Sequence, residues 1–233
     1  MTRWTRVVAT VGALGGLLVV AGFISTSGGG IAARVSGERG RVRPDSQLDL
    51  VLRGRYLVIS HDCAGCHGGV DPNSKNWLAG VTSNFQIFKM GACNEMEPDA
   101  KPCFLTRPRN LTPDNMTGLG RYSERQIFNA LRYGLKIEDT PDVEITSGTP
   151  GQGNFPLHPH YLAPPMPWSA WRHMPDADLW AIAAYLHRAV KPVVNRVEDS
   201  EGPPDFWASL YIPANIGTYP APAFPAANEQ KPK

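Results

Sequence analysis

Cysteine is scarce in this 233-residue sequence: there are four, two of them inside one short motif, which excludes a disulfide-dense scaffold. Net charge is nearly absent. The 23 basic and 21 acidic side chains leave +2, too little to argue for a nucleic acid or an acidic polymer as partner. No internal repeat occurs. The length suits one domain with extensions and is short for two domains with linkers. Hydrophobic residues at 42% and charged residues at 19% are ordinary globular values.

What is present begins with a membrane signal. Arg3 and Arg6 precede an uncharged run of apolar and small residues from Val7 to Ile24. At about 1.5 Å per residue this run nearly spans a hydrocarbon core of roughly 30 Å. It is longer than the usual secretory core of about 7–15 residues, so residues 1–25 are read as a signal-anchor, with a cleaved signal peptide as the alternative. No cysteine follows that would serve for lipid attachment. The positive flank stays in the cytoplasm and the rest of the chain faces the other side. Residues 26–46, with a glycine triplet and Arg34, Arg39, Arg41 and Arg43, read as a flexible tether.

Beyond the tether, Leu48, Val51, Leu52, Leu57 and Ile59 fit the apolar spacing of a helix, with Gly54 permitting close approach of another helix. Ser123-Glu-Arg-Gln126 is a capping box; it opens a helix with Ile127, Phe128 and Leu131 at core spacing and Gly134 as its stop. A last helix starts near Pro175 and runs through Leu179, Ile182, Ala183 and Leu186 to end before Pro192. The proline-rich stretch 135–168 reads as loop, and residues 196–233 as a proline-rich extension lying on the surface.

The chemistry sits in Cys63-Ala-Gly-Cys66-His67. Two cysteines separated by two residues, with histidine next, form the c-type haem attachment pattern: the thiols join the two vinyl groups and the histidine reaches the iron. One such motif implies one covalent haem c. The competing readings are a redox-active CxxC pair or half a zinc site. A zinc site needs two further well-spaced ligands, and Cys93 and Cys103 stand ten apart with no histidine beside them. In an oxidising compartment those two are most simply a disulfide that closes a short inserted loop.

Several further stretches carry a resemblance. Arg53-Gly-Arg-Tyr-Leu57, Leu78-Ala-Gly80, Asn110-Leu-Thr-Pro-Asp114 with Thr117-Gly-Leu-Gly120, and Met166-Pro-Trp168 ahead of Asp178-Leu-Trp-Ala-Ile-Ala-Ala-Tyr-Leu186 stand in one order around the motif. In this the chain resembles class I cytochromes c, especially the monohaem modules of membrane-bound dehydrogenase complexes. The resemblance implies an all-α cytochrome c-like domain over residues 47–195 in which the first and last helices cross, pairing the Gly54 to Tyr56 region with Tyr185. It implies Met166, held in Pro164-Pro-Met-Pro167, as the sixth iron ligand beside His67. Met174, Met90, Met96 and Met116 are the other methionines weighed, and His158 and His160 the bis-histidine alternative. The Asn110 to Pro113 turn is expected against the ring, helping to hold a propionate. His61, His173 and His187 are read as structural or surface residues.

Functionally, the resemblance implies an electron-transfer protein and not an enzyme. The leading form is a carrier tethered to a bacterial cytoplasmic membrane with its haem domain on the periplasmic side, or secreted if the signal is cleaved. The alternative is a fixed cytochrome subunit of a respiratory, photosynthetic or dehydrogenase complex. Partners are then redox proteins or neighbouring subunits and the membrane, with no nucleic acid. A haem enzyme or sensor needs an open iron position, against which Met166 argues.

Overall fold

Ser46 is extended and its side-chain oxygen accepts the amide N–H of Asp49 at 2.9 Å, which starts helix α1, Gln47–Ser60. The computed structural model describes residues 46–82, 88–90, 96, 103–202 and 207–232. The apolar run 7–24 therefore lies outside the described residues, among which no helix is long and apolar enough to cross a membrane.

Helix α1 carries two apolar faces. Gly54, Leu57 and Val58 are buried, whereas Leu48, Leu52, Tyr56 and Ile59 form an exposed stripe on the opposite side. Leu48, Leu52 and Ile59, which fit the helical spacing, thus lie away from the core. At about 3.6 residues per turn both sets satisfy helical spacing, and which one is buried depends on the partner helix. That partner is α5, Asp176–Arg188. A Cβ on Gly54 would run into the backbone carbonyl of Ala181, so glycine is what lets the two helices meet at this depth. Beside the contact Arg53 makes two 2.9 Å bonds to the Asp178 carboxylate. Helix α5 starts from Pro175 without a side-chain cap; Asp176 and Asp178 in its first turn favour the positive end of its dipole.

Between these helices lie α2, Cys63–His67, and α3, Glu124–Tyr133. Both reciprocal bonds of the capping box form, Ser123 Oγ accepting from the Gln126 amide at 3.1 Å and Gln126 Oε1 from the Ser123 amide at 3.0 Å. Gly134 ends α3 at φ 68°. The ring of Trp168 occupies the space a Cβ would take there. Trp168 opens the short helix α4, Trp168–Trp171. The main core joins Leu57, Val58, Phe128, Leu131, Leu179 and Leu186. The loop that follows α3 has a smaller core of its own: Leu135, Ile145 and Phe155 with Tyr133 and Tyr161.

Two features depart from the sequence reading. The domain is not wholly helical: β1, Phe88–Met90, pairs antiparallel with β2, Phe104–Thr106, in register Phe88 to Thr106. These strands flank the cysteine-bearing insertion. Part of the extension after residue 195, expected on the surface, is packed into the fold, while nearly all of residues 212–232 are exposed. Leu105 and Glu201 exchange amide bonds of 2.8 and 2.9 Å, and Trp207 is 0% exposed with its ring edge-on to Phe104 at 4.2 Å. A short helix α6, Pro213–Ile216, follows, and Arg172 donates to the carbonyls of Ile216 and Gly217. The aromatic residues of this extension find apolar partners on distant segments, which outweighs its proline content.

Candidate haem-binding site

Helix α2 follows Asp62, which is left-handed at φ 51°, and its end is tied down by backbone bonds from Gly80 to the His67 carbonyl and from Leu78 to the Gly68 carbonyl. Nδ1 of His67 lies 2.7 Å from the carbonyl oxygen of Arg109. A carbonyl only accepts, so Nδ1 carries the proton and Nε2 keeps its lone pair. Burial lowers the His67 pKa, and the Arg109 carbonyl opposes this in part. The ring is therefore neutral and fixed in the tautomer that suits a metal ligand.

The thiols of Cys63 and Cys66 are free. Burial pushes Cys63 up to about 12 and raises Cys66 as well, with the Asp62 carboxylate adding to both. A redox CxxC pair works through a depressed thiol, so this environment does not suit one. Nor do three His, Cys, Asp or Glu side chains gather to hold a metal among the described residues, which removes support for a zinc site there.

Cys63, Cys66 and His67 form one side of a cavity of about 370 Å³ that also includes Leu111, Leu119, Leu131, Leu135 and Ile137. Pro165, Met166, Pro167 and Trp171 complete it. The Met166 amide donates to the Ala163 carbonyl and the Trp168 amide to the Met166 carbonyl, both at 2.9 Å, so the methionine sits in a tight turn between prolines. Two free thiols, a histidine with one free nitrogen, a thioether and apolar walls are the donor set and surroundings that fit a haem c.

The structure brings Cys63, Cys66, His67 and Met166 together at one cavity. Asn110 and Pro113 are not among its lining residues. Asn110 is 2% exposed and its amide bonds the Val193 carbonyl, Thr117 and Thr112, bracing the loop from within. Its neighbours Arg109 and Leu111 reach the cavity instead. Met96 and Met116 are exposed, Met174 packs against the core without lining the cavity, and Met90 belongs to β1. His158 and His160 do not line the cavity, and His160 pairs with Asp139 at 2.8 Å. Cys103 is disulfide-bonded, and Cys93 lies outside the described residues.

Sequence reasoning missed three groups. His61, read as structural or surface, lines the cavity with its ring edge-on to Trp171. Arg107, Arg109 and Lys136 line both the cavity and an adjoining polar chamber of about 390 Å³. The third is the acceptor for His67, a backbone carbonyl that no residue type announces. Arg109 is held by the carbonyls of Val197 and Glu198 and by Asp199, whose carboxyl it lowers; Arg107 bonds the Asp199 carbonyl and Glu201. These partners come from the C-terminal extension, about 90 residues away in sequence, and only the fold reveals them.

No protein-family model matches the chain. Among curated proteins it is 30% identical over 155 residues to the gluconate 2-dehydrogenase cytochrome c subunit of Pantoea cypripedii, covering 66% of this chain and 26% of that protein. It is 27% identical to the fructose dehydrogenase cytochrome subunit of Gluconobacter japonicus, over 61% of this chain and 22% of that one. With the cytochrome c subunit of a quinone alcohol dehydrogenase from Gluconacetobacter polyoxogenes it shares 23% identity, over 77% of this chain and 32% of the other. Its homologues are cytochrome c subunits of dehydrogenases. They imply haem c as the cofactor, and they are electron-transfer subunits rather than catalytic ones. The chain spans between a fifth and a third of the length of these relatives.

Proposed function

We propose that this chain is an electron-transfer subunit of a dehydrogenase complex and binds one haem c covalently. The observation that carries this reading is the cavity that collects Cys63, Cys66, His67 and Met166 within apolar walls. The three relatives named above, cytochrome subunits of dehydrogenases, favour a subunit over a tethered carrier that meets its partners by collision. Their substrates are their own, and no substrate is assigned to this chain.

Haem c, when bound, supplies a one-electron couple. Cys63 and Cys66 would hold it through thioether bonds and His67 would offer Nε2 to the iron, with the Arg109 carbonyl keeping the imidazole oriented. Met166, on the cavity wall, would offer its thioether to the iron. With both His67 and Met166 held in place, little rearrangement would accompany a change of oxidation state and no position would be left for a substrate. The apolar side chains exclude water, and Arg107, Arg109 and Lys136 supply positive groups suited to propionate carboxylates. Asn110 acts through the loop that it braces. We assign residues 1–25 to a membrane anchor with the haem domain on the extracytoplasmic side, and Cys93 as the disulfide partner of Cys103.

The test is the visible spectrum of the purified full-length holoprotein with a haem-to-chain ratio. One haem per chain, a weak ferric sulfur-to-iron charge-transfer band, and a reduced spectrum indifferent to carbon monoxide are expected. Met166→Ala abolishes the band and admits carbon monoxide; an unchanged spectrum in that variant refutes the assignment. Extraction in mild detergent is expected to bring the chain out with a dehydrogenase partner, and isolation as a monomer returns the reading to a tethered carrier.

A further inference from the structure

The C-terminal extension is fastened to the segment that carries Met166. The Tyr211 hydroxyl donates to the Leu162 carbonyl at 2.7 Å, and the Trp207 indole N–H donates to the Tyr161 carbonyl at 3.4 Å. On its other side the Leu162 peptide donates its N–H to the Gly134 carbonyl at the end of α3, also at 2.7 Å. Leu162 is thus held between α3 and the extension.

The ring of Tyr211 reaches both ends of the same loop. It meets Trp168 edge-on with centroids 4.9 Å apart and Tyr161 at 5.4 Å, while Tyr161 and Trp168 lie nearly parallel at 6.1 Å. Met166 sits inside the loop that these two aromatic residues bound. Beyond it, Arg172 ties α4 to the carbonyls of Ile216 and Gly217 at 2.8 and 2.9 Å.

We infer that Tyr211 is a positioning residue for Met166, holding the Tyr161 to Trp168 loop closed so that the thioether stays at the cavity. This rests on the reading of Met166 as an iron ligand. A thioether is a weak ligand, so its residence depends on how often the loop opens. Burial pushes the Tyr211 phenol up to about 12, and it remains a neutral donor across the neutral range. The bond to Leu162 is made by a residue 49 positions downstream, so the extension contributes to the axial site.

The experiment is imidazole displacement of Met166 in the ferric full-length holoprotein, followed by loss of the sulfur-to-iron band. At saturating imidazole the rate reports loop opening. Tyr211→Phe keeps the ring and removes only the hydroxyl; the rate is expected to rise about three- to tenfold, the size of one lost hydrogen bond. Tyr211→Ala is expected to raise it further. Tyr133→Phe loses a similar bond, Tyr133 hydroxyl to the Ile145 carbonyl at 2.8 Å, outside the methionine loop, and leaves the rate unchanged. A wild-type rate in Tyr211→Phe, or an equal rise in Tyr133→Phe, overturns the inference while the Met166 assignment stands. Absence of the band in the wild-type protein overturns the assignment itself, and the inference with it.

Discussion

Trp77 donates its indole N–H to the hydroxyl of Tyr185 at 3.0 Å, joining the loop after the CxxCH motif to the last helix inside the core. Both residues are buried. Tyr185 also touches the point where Gly54 meets α5, so one side chain serves the helix crossing and the segment next to the cysteines.

Tyr185→Phe leaves the Trp77 N–H buried without an acceptor. A loss of about 1–3 kcal/mol is expected in a urea unfolding curve. In the double variant with Trp77→Phe the losses are expected to be less than additive, because the orphaned donor is gone. Strict additivity would show that the bond contributes nothing.

Gly54→Ala sets two effects against each other. Helix propensity favours alanine by about 1 kcal/mol. The new methyl group, however, meets the Ala181 backbone, which has no rotamer by which to yield. Overpacking of this kind costs about 1–3 kcal/mol, occasionally more, so net destabilisation is expected and a raised unfolding midpoint contradicts the close crossing.

Trp207→Ala empties a fully buried site between Phe104 and Tyr161. Truncating a buried Trp costs about 3–5 kcal/mol when the site cannot collapse. The main core includes no residue of the extension, so the loss is expected first there, as faster proteolysis within residues 196–219 than in the rest of the domain. Uniform cleavage throughout the domain would mean that the extension and the domain unfold as one unit.

The sequence announced what is written locally. The capping box at Ser123 and Gln126 and the stop at Gly134 lie within twelve residues, and α3 follows them. Cys63, Cys66 and His67 stand within five residues and point to a haem c without any knowledge of the fold. The buried face of α1 was not legible, since Leu48, Leu52, Tyr56 and Ile59 keep the same helical spacing as the residues that pack on α5. The packed part of the extension was not legible either: its prolines read as surface chain, and only the distant Phe104 and Leu162 give Trp207 and Tyr211 partners. For the same reason the acceptor for His67 stayed hidden, since the Arg109 carbonyl is backbone and is placed by the fold.

Asp114 provides a pH-dependent test of the loop that leads from Arg109 toward α3. Its carboxylate accepts from the Thr117 hydroxyl at 2.7 Å and from the amides of Thr117 and Met116 at 2.6 and 3.1 Å. The Thr117 hydroxyl, then the two amides, hold its pKa below the ordinary 3.8, against a smaller opposing effect of burial. Because the folded state lowers this pKa, the carboxylate stabilises the fold above the ordinary value, and that contribution is lost as pH falls through the depressed one. Asp114→Asn keeps the shape but turns an acceptor toward a donor, so it is expected to be less stable than wild type at neutral pH. The gap should narrow as pH falls below the carboxylate range, measured by urea unfolding across a pH series on the holoprotein. A gap that stays constant with pH would mean that the ionised form of Asp114 does not hold this loop.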